Sequence, residues 1–77
     1  MENETYHRAE KIYKNLLKGL MPRFKGKILA VEPQSKKYWI GDDELGVALR
    51  ATKEFPKRKI GVFRVGYPAV HKVRNIR

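Results

Sequence analysis

The 77-residue chain predicts a small α+β domain of element order αββαβ, with two helices and a three-stranded, mainly antiparallel sheet in the order 2-1-3. Three observations carry that prediction. The first twenty residues place their apolar side chains at helical spacing. Two short runs rich in β-branched and aromatic residues then flank a turn-forming tetrapeptide. A second helical stretch, bounded by carboxylates and a proline, leads into one more apolar run.

Residues 1–20 carry apolar side chains at Tyr6, Ala9, Tyr13, Leu16, Leu17 and Leu20, one face of a helix, with Arg8, Lys11, Asn15 and Lys18 nearly opposite. Asn3 or Thr5 is the expected cap, and Gly19 followed by Met21-Pro22 the expected end. Lys27 to Pro33 and Lys37 to Gly41 read as a hairpin turned at Pro33-Gln34-Ser35-Lys36. Asp42-Asp43-Glu44 supplies a cap and an acidic first turn for a second helix, whose positions Leu45, Ala48, Leu49, Thr52 and Phe55 keep helical spacing until Pro56. Gly46 inside it costs up to ~1 kcal/mol against Ala. Lys59 to Tyr67 is the third strand, so residues 27–67 form a ββαβ core. Residues 68–77 are a basic C-terminal segment, either a short edge strand or a loose tail.

A right-handed crossover through the second helix returns the third strand parallel to the second, beside the first. The run Ile28-Leu29-Ala30-Val31 is apolar on both faces of its strand, and Val62-Phe63 repeats this, so both sheet faces need cover. One helix cannot cover both. The first helix packs opposite the second, or that face meets another copy or a different protein.

A chain this short buries only ~60% of its unfolded surface and holds one core, so a single domain over residues 1–77 is expected. With no Cys, disulfides, thiolate metal sites and a Cys nucleophile are excluded. No apolar run approaches the ~20 residues a membrane span needs, and the first ten residues are too polar for a signal peptide, which makes a soluble cytoplasmic domain the expectation. The net charge is +10, and it is uneven: residues 57–77 carry seven basic and no acidic side chains. Lys57, Arg58, Lys59, Arg64, Lys72, Arg74 and Arg77 form one patch with Arg23, Lys25 and Lys27 if the start of the hairpin lies near the end of the chain. Such a patch attracts phosphate backbones by counterion release. Phe24, Tyr38, Trp39 and Tyr67 are interleaved with it, and an exposed ring stacks an unpaired base for ~1–3 kcal/mol. The competing reading is a solvating surface with rings in the core. Tyr38 and Trp39 point to opposite faces of their strand, so at least one belongs to the core.

The residues with potential chemistry favour structural roles. Asp42, Asp43 and Glu44 are neighbours at a helix start, where carboxylates are favoured by the dipole. His7 and His71 have no partners at metal-ligand spacing. Ser35 sits in a turn without a nucleophile-elbow pattern. Gly61 and Gly66 flank the third strand and mark a bulge, a close packing contact or the strand's end. No catalytic or metal-ligating residue and no cofactor is assigned, and the chain is not read as an enzyme.

The stretches V-E-P-Q-S-K-K-Y-W-I-G-D-D, K-E-F-P-K-R-K-I and R-V-G-Y-P-A-V-H-K-V-R resemble a group of small uncharacterised bacterial proteins of cyanobacterial type. Their pattern runs V-E-P-x-S-G-x-Y-F-I-G-D-T-x-x-E-A, then Y-P-x-K, then R-x-G-Y-x-A-V-H-K. The match covers Gly26 to Arg74. This chain departs from the pattern at Lys36 for the turn glycine, Asp43 for Thr and Gly46 for the helical Glu. The resemblance implies that Arg64, Gly66, Tyr67, Pro68, Ala69, Val70, His71 and Lys72 belong to an ordered motif, with no role attached to Gly66, Pro68 or His71. The order of hairpin, helix and strand is also similar to antitoxins that carry a partial ribonuclease-H-like domain, which implies a protein partner.

Two functions follow as expectations. The first is a basic module that binds RNA or DNA, gripping phosphate with Lys57, Arg58, Lys59, Arg64, Lys72 and Arg74 and stacking bases on Tyr38, Trp39 or Tyr67. The alternative is an antitoxin-like interaction module that meets a toxin-like protein, or a second copy, through an uncovered sheet face or the first helix.

Overall fold

The computed structural model describes residues 2–67 and 73–74. Helix α1 spans Glu2–Leu20, strand β1 Ile28–Glu32, β2 Lys37–Gly41, helix α2 Glu44–Glu54, β3 Ile60–Arg64 and β4 Val73–Arg74. The order αββαβ stands, and the three expected strands lie antiparallel in the order 2-1-3. The two-residue β4 adds an antiparallel edge beside β3, so the sheet reads β2-β1-β3-β4.

The register settles which side chain faces which helix. Leu29 lies opposite Ile40 and Phe63, and Ala30 opposite Trp39 and Val62. Leu29, Val31, Phe63 and Val65 therefore share one face, where they bury Tyr6, Ala9, Tyr13 and Leu20 of α1. Ile28, Ala30, Ile60 and Val62 point the other way, onto Val47 and Ala51 of α2, with Trp39 packed alongside. The result is three layers, helix on sheet on helix. It explains why β1 is buried along its whole length. Of the two ways to cover the sheet, the chain uses its own first helix. The face left for a partner by the alternative reading is occupied over β1 and β3.

Two packing contacts hold α1 in place. The Tyr13 ring stacks on Phe63 with centroids 4.5 Å apart and planes 3° from parallel. A Cβ at Gly61 would lie 2.6 Å from the Ala9 Cβ, so glycine is what lets the helix backbone approach β3 this closely. Gly61 thus marks a close packing contact. Gly66, beyond the end of β3, has φ +85 and lies against Met21 and Lys25, a conformation that L side chains rarely adopt.

Helix α1 begins at Glu2, so Asn3 and Thr5 lie inside it rather than capping it. N-cap residues are favoured but not required, and α1 continues through both because its apolar face is held by the sheet. At α2 the expectation holds more closely. Asp43 is the N-cap, with its carboxylate accepting from the Gly46 N–H at 2.8 Å, and the helix ends at Glu54 just before Phe55-Pro56.

Candidate nucleic-acid interface

The antiparallel register separates cations that the sequence brings together. Ile28 pairs with Arg64, and the Val65 N–H donates to the Lys27 carbonyl, so the start of the hairpin does meet the end of β3. Lys57, Arg58 and Lys59 precede β3, at the other end of the sheet beside the β1–β2 turn. At ~3.3 Å per residue, β3 alone puts ~13 Å between the two groups. Among the described residues the expected single patch is thus divided between two basic clusters.

The cluster at the Arg64 end holds Lys25, Lys27, Arg64 and Tyr67. The Tyr67 ring is half exposed, with the Lys25 ammonium and the Arg64 guanidinium each 5.9 Å from its centroid. Arg64 also donates to the Gly26 carbonyl at 3.0 Å, and Lys27 is paired with Asp42. That hydrogen bond, with the Lys27 charge, holds the Asp42 carboxyl below its usual value. Asp42, Asp43 and Glu44 do not converge: one pairs with Lys27, the next caps α2, and the third opens the helix.

The cluster at the turn end is built around a residue whose partners lie in the turn and, 26 residues on, in the loop before β3. Glu32 is 1% exposed, a carboxylate out of water at the end of the central strand. Its Oε1 accepts from the Ser35 N–H at 2.7 Å and from Arg58 Nη1 at 3.1 Å, and its Oε2 from the Gln34 N–H at 3.1 Å. Burial pushes the carboxyl up. The hydrogen bonds from Ser35 and Gln34 and the Arg58 charge outweigh it, so the net direction is downward. The same bonds order the turn, where Ser35 Oγ accepts from the Lys37 N–H at 3.1 Å. That places Ser35 in turn geometry.

With Glu32 holding Arg58, the loop 57–59 closes toward α1. Arg8, Glu32, Lys57, Arg58 and Lys59 line a notch of about 190 Å³. Beyond it, on the α1 side of the turn, an open groove of about 490 Å³ runs between the helix and Pro33-Gln34, bordered by Arg8, Lys11, Asn15 and Lys36. Arg8, Pro33 and Gln34 are common to both. Lys36 stands at φ +66, in the left-handed region, at the position where the resembled pattern carries glycine.

The aromatics divide as the strand alternation requires. Trp39 packs on the α2 side, partly buried against that core, with its ring edge-on to Phe55 at 6.0 Å. Tyr38 faces the α1 side opposite Val31 and is 45% exposed, because α1 lies over β1 and β3 and leaves the β2 edge open. Arg74 pairs by its backbone with Ile60, at the Lys59 end of the sheet. Pro68, His71 and Lys72, named from the sequence as motif or phosphate-contacting residues, lie outside the described residues. Helical periodicity places Arg8 and Lys11 on the outward stripe of α1. What it cannot supply is the neighbour that stripe faces.

Among the described residues no group of three or more His, Cys, Asp or Glu side chains is placed to hold a metal ion, and no helix is long and apolar enough to cross a membrane. No protein-family model matches the chain, and neither the curated proteins nor the solved structures contain a match to it.

Proposed function

We propose that this protein is a small basic module that binds nucleic acid through its phosphate backbone. One observation carries the reading: Arg8 of α1 meets Lys57, Arg58 and Lys59 in a single concave notch, so cations some fifty positions apart in sequence face one volume of solvent. Among the described residues Glu32 is the one carboxylate on its lining, buried and committed to Arg58 and the turn, while Arg8 is paired with Glu4 at 3.7 Å. Concave clustering of one sign of charge focuses the field and attracts the opposite charge. Lys57, Arg58 and Lys59 serve as phosphate contacts here. Arg64, with Tyr67 beside it, offers a second contact at the far end of β3.

The test is fluorescence anisotropy of labelled RNA and DNA at low and at physiological salt, with an unrelated protein of similar pI as control. The reading expects binding that exceeds the control at physiological salt and weakens when Lys57 is reversed to Glu. Affinity that disappears with salt as the control's does leaves the charge as a solvating surface.

A protein-interaction reading is favoured by a different observation, the outer edge of β2, which pairs with no strand among the described residues. An edge strand can accept an added strand from a partner. The lysines at its start, Lys36 and Lys37, oppose this, since edge lysines protect against strand addition.

A further inference from the structure

Resting on that reading, we infer that the nucleic acid is single-stranded and lies in the groove between α1 and the β1–β2 turn, with phosphates on Lys11, Lys36 and Lys57 and an unpaired base against Tyr38. The first argument is charge. Lys11, Lys36 and Lys57 have no carboxylate partner among the described residues, a property shared with Lys18, Lys25 and Lys53 but here combined with a place on the notch or groove, whereas Lys14, Lys27 and Lys37 are paired with Glu10, Asp42 and Glu54. Lys57 lines the notch and Lys11 and Lys36 the groove, two adjoining concavities that share Arg8, Pro33 and Gln34.

The second argument is shape. A groove of about 490 Å³ is on the scale of a pocket that takes one unpaired nucleotide, whereas a duplex could only lie across its open mouth. The third is chemistry along the groove. Asn15 and Gln34 border it with amides able to pair with base edges, and Tyr38, outside the groove lining but two residues beyond Lys36 on its border, is 45% exposed on the same face of the sheet. Cations for the backbone, a ring for the base and amides for its edge are the components of single-strand recognition. The fourth is strain. Lys36 holds a positive φ at which glycine is the ordinary residue, and its place on the border of the groove gives that unfavourable conformation a use.

The experiment is anisotropy with the whole chain on single-stranded RNA, single-stranded DNA and duplex DNA of one sequence, comparing Lys11→Glu, Tyr38→Ala and Lys53→Glu, the last an equal charge reversal on exposed α2. Circular dichroism checks that each variant is folded. The inference expects single strands to bind at least tenfold tighter than duplex. It also expects Lys11→Glu to weaken them at least tenfold more than Lys53→Glu does, and Tyr38→Ala to weaken them fivefold or more. The RNA and DNA arms identify which single strand is preferred. Equal binding of single strand and duplex, or equal effects of Lys11→Glu and Lys53→Glu, overturns the groove while leaving phosphate binding in place. Binding no better than a control protein of similar pI overturns both.

Discussion

The Arg58 guanidinium donates to the buried Glu32 carboxylate at 3.1 Å, across 26 residues of sequence, and so ties the loop before β3 to the turn after β1. Arg58 also lies over the Phe55 ring at 5.3 Å, which joins the end of α2 to the same point. One carboxylate therefore sets the geometry of the basic notch.

Glu32 makes stability depend on pH with a definite sign. Its folded value lies below its ordinary value of 4.5, so its contribution is complete above that pH and is lost as pH falls through the lower folded value. Glu32→Gln is expected to lose about 1–3 kcal/mol at neutral pH, since it removes the charge that Arg58 and the two N–H groups meet. Thermal unfolding of both proteins at a series of pH values checks this. The gap between their midpoints should close below the ordinary carboxyl value. Curves that stay parallel through that range would mean that the ionised carboxylate contributes nothing.

Lys36→Gly is expected to stabilise the fold by up to about 1 kcal/mol, because a left-handed conformation costs an ordinary residue ~1–2 kcal/mol and glycine recovers only part of that through its looser unfolded state. Binding to single strands should weaken in the same variant, since it loses one groove cation. Urea denaturation and anisotropy on one preparation measure both. A variant that is both less stable and equally avid contradicts the role given to this residue.

Tyr13→Phe keeps the ring on Phe63 and removes only a hydroxyl. That hydroxyl donates to the Arg64 carbonyl at 3.0 Å and accepts from the Gly66 N–H at 3.2 Å. An unpaired buried polar group costs about 1–3 kcal/mol, which is the loss expected. Amide hydrogen exchange should show the release at Gly66 first, while the Ala30 and Val62 amides of the central sheet remain protected.

Gly61→Ala is expected to cost about 1–3 kcal/mol, as its new methyl meets Ala9 inside a packed core. Pairing it with Ala9→Gly removes the collision, so the double variant should lose less than the two single losses combined. Additive losses in denaturant titrations would show that the two positions do not touch.

Much of this architecture was legible from local pattern. The spacing of Tyr6, Ala9 and Tyr13, the Pro33-Gln34-Ser35-Lys36 turn, the Asp43 cap and the stop at Pro56 each depend on neighbours a few residues away, and each appears where expected. The doubly apolar run 28–31 further implied that both sheet faces are covered. Strand alternation alone separated Trp39 from Tyr38, leaving only the choice of which one is buried.

The site depended on longer-range placement. Composition collects Lys57, Arg58, Lys59 and Arg64 within eight positions, yet an intervening strand carries Arg64 to the opposite end of the sheet. Arg8, some fifty positions away, is brought beside the first three because α1 runs along β3 with its N-terminal half toward the turn. The Glu32 carboxylate looks like an ordinary strand-end polar group until Arg58 and the turn N–H groups enclose it. Helix periodicity, turn chemistry and capping are short-range and are written in consecutive residues. Which cations share a groove follows from strand register and helix direction, which emerge only when the whole core packs.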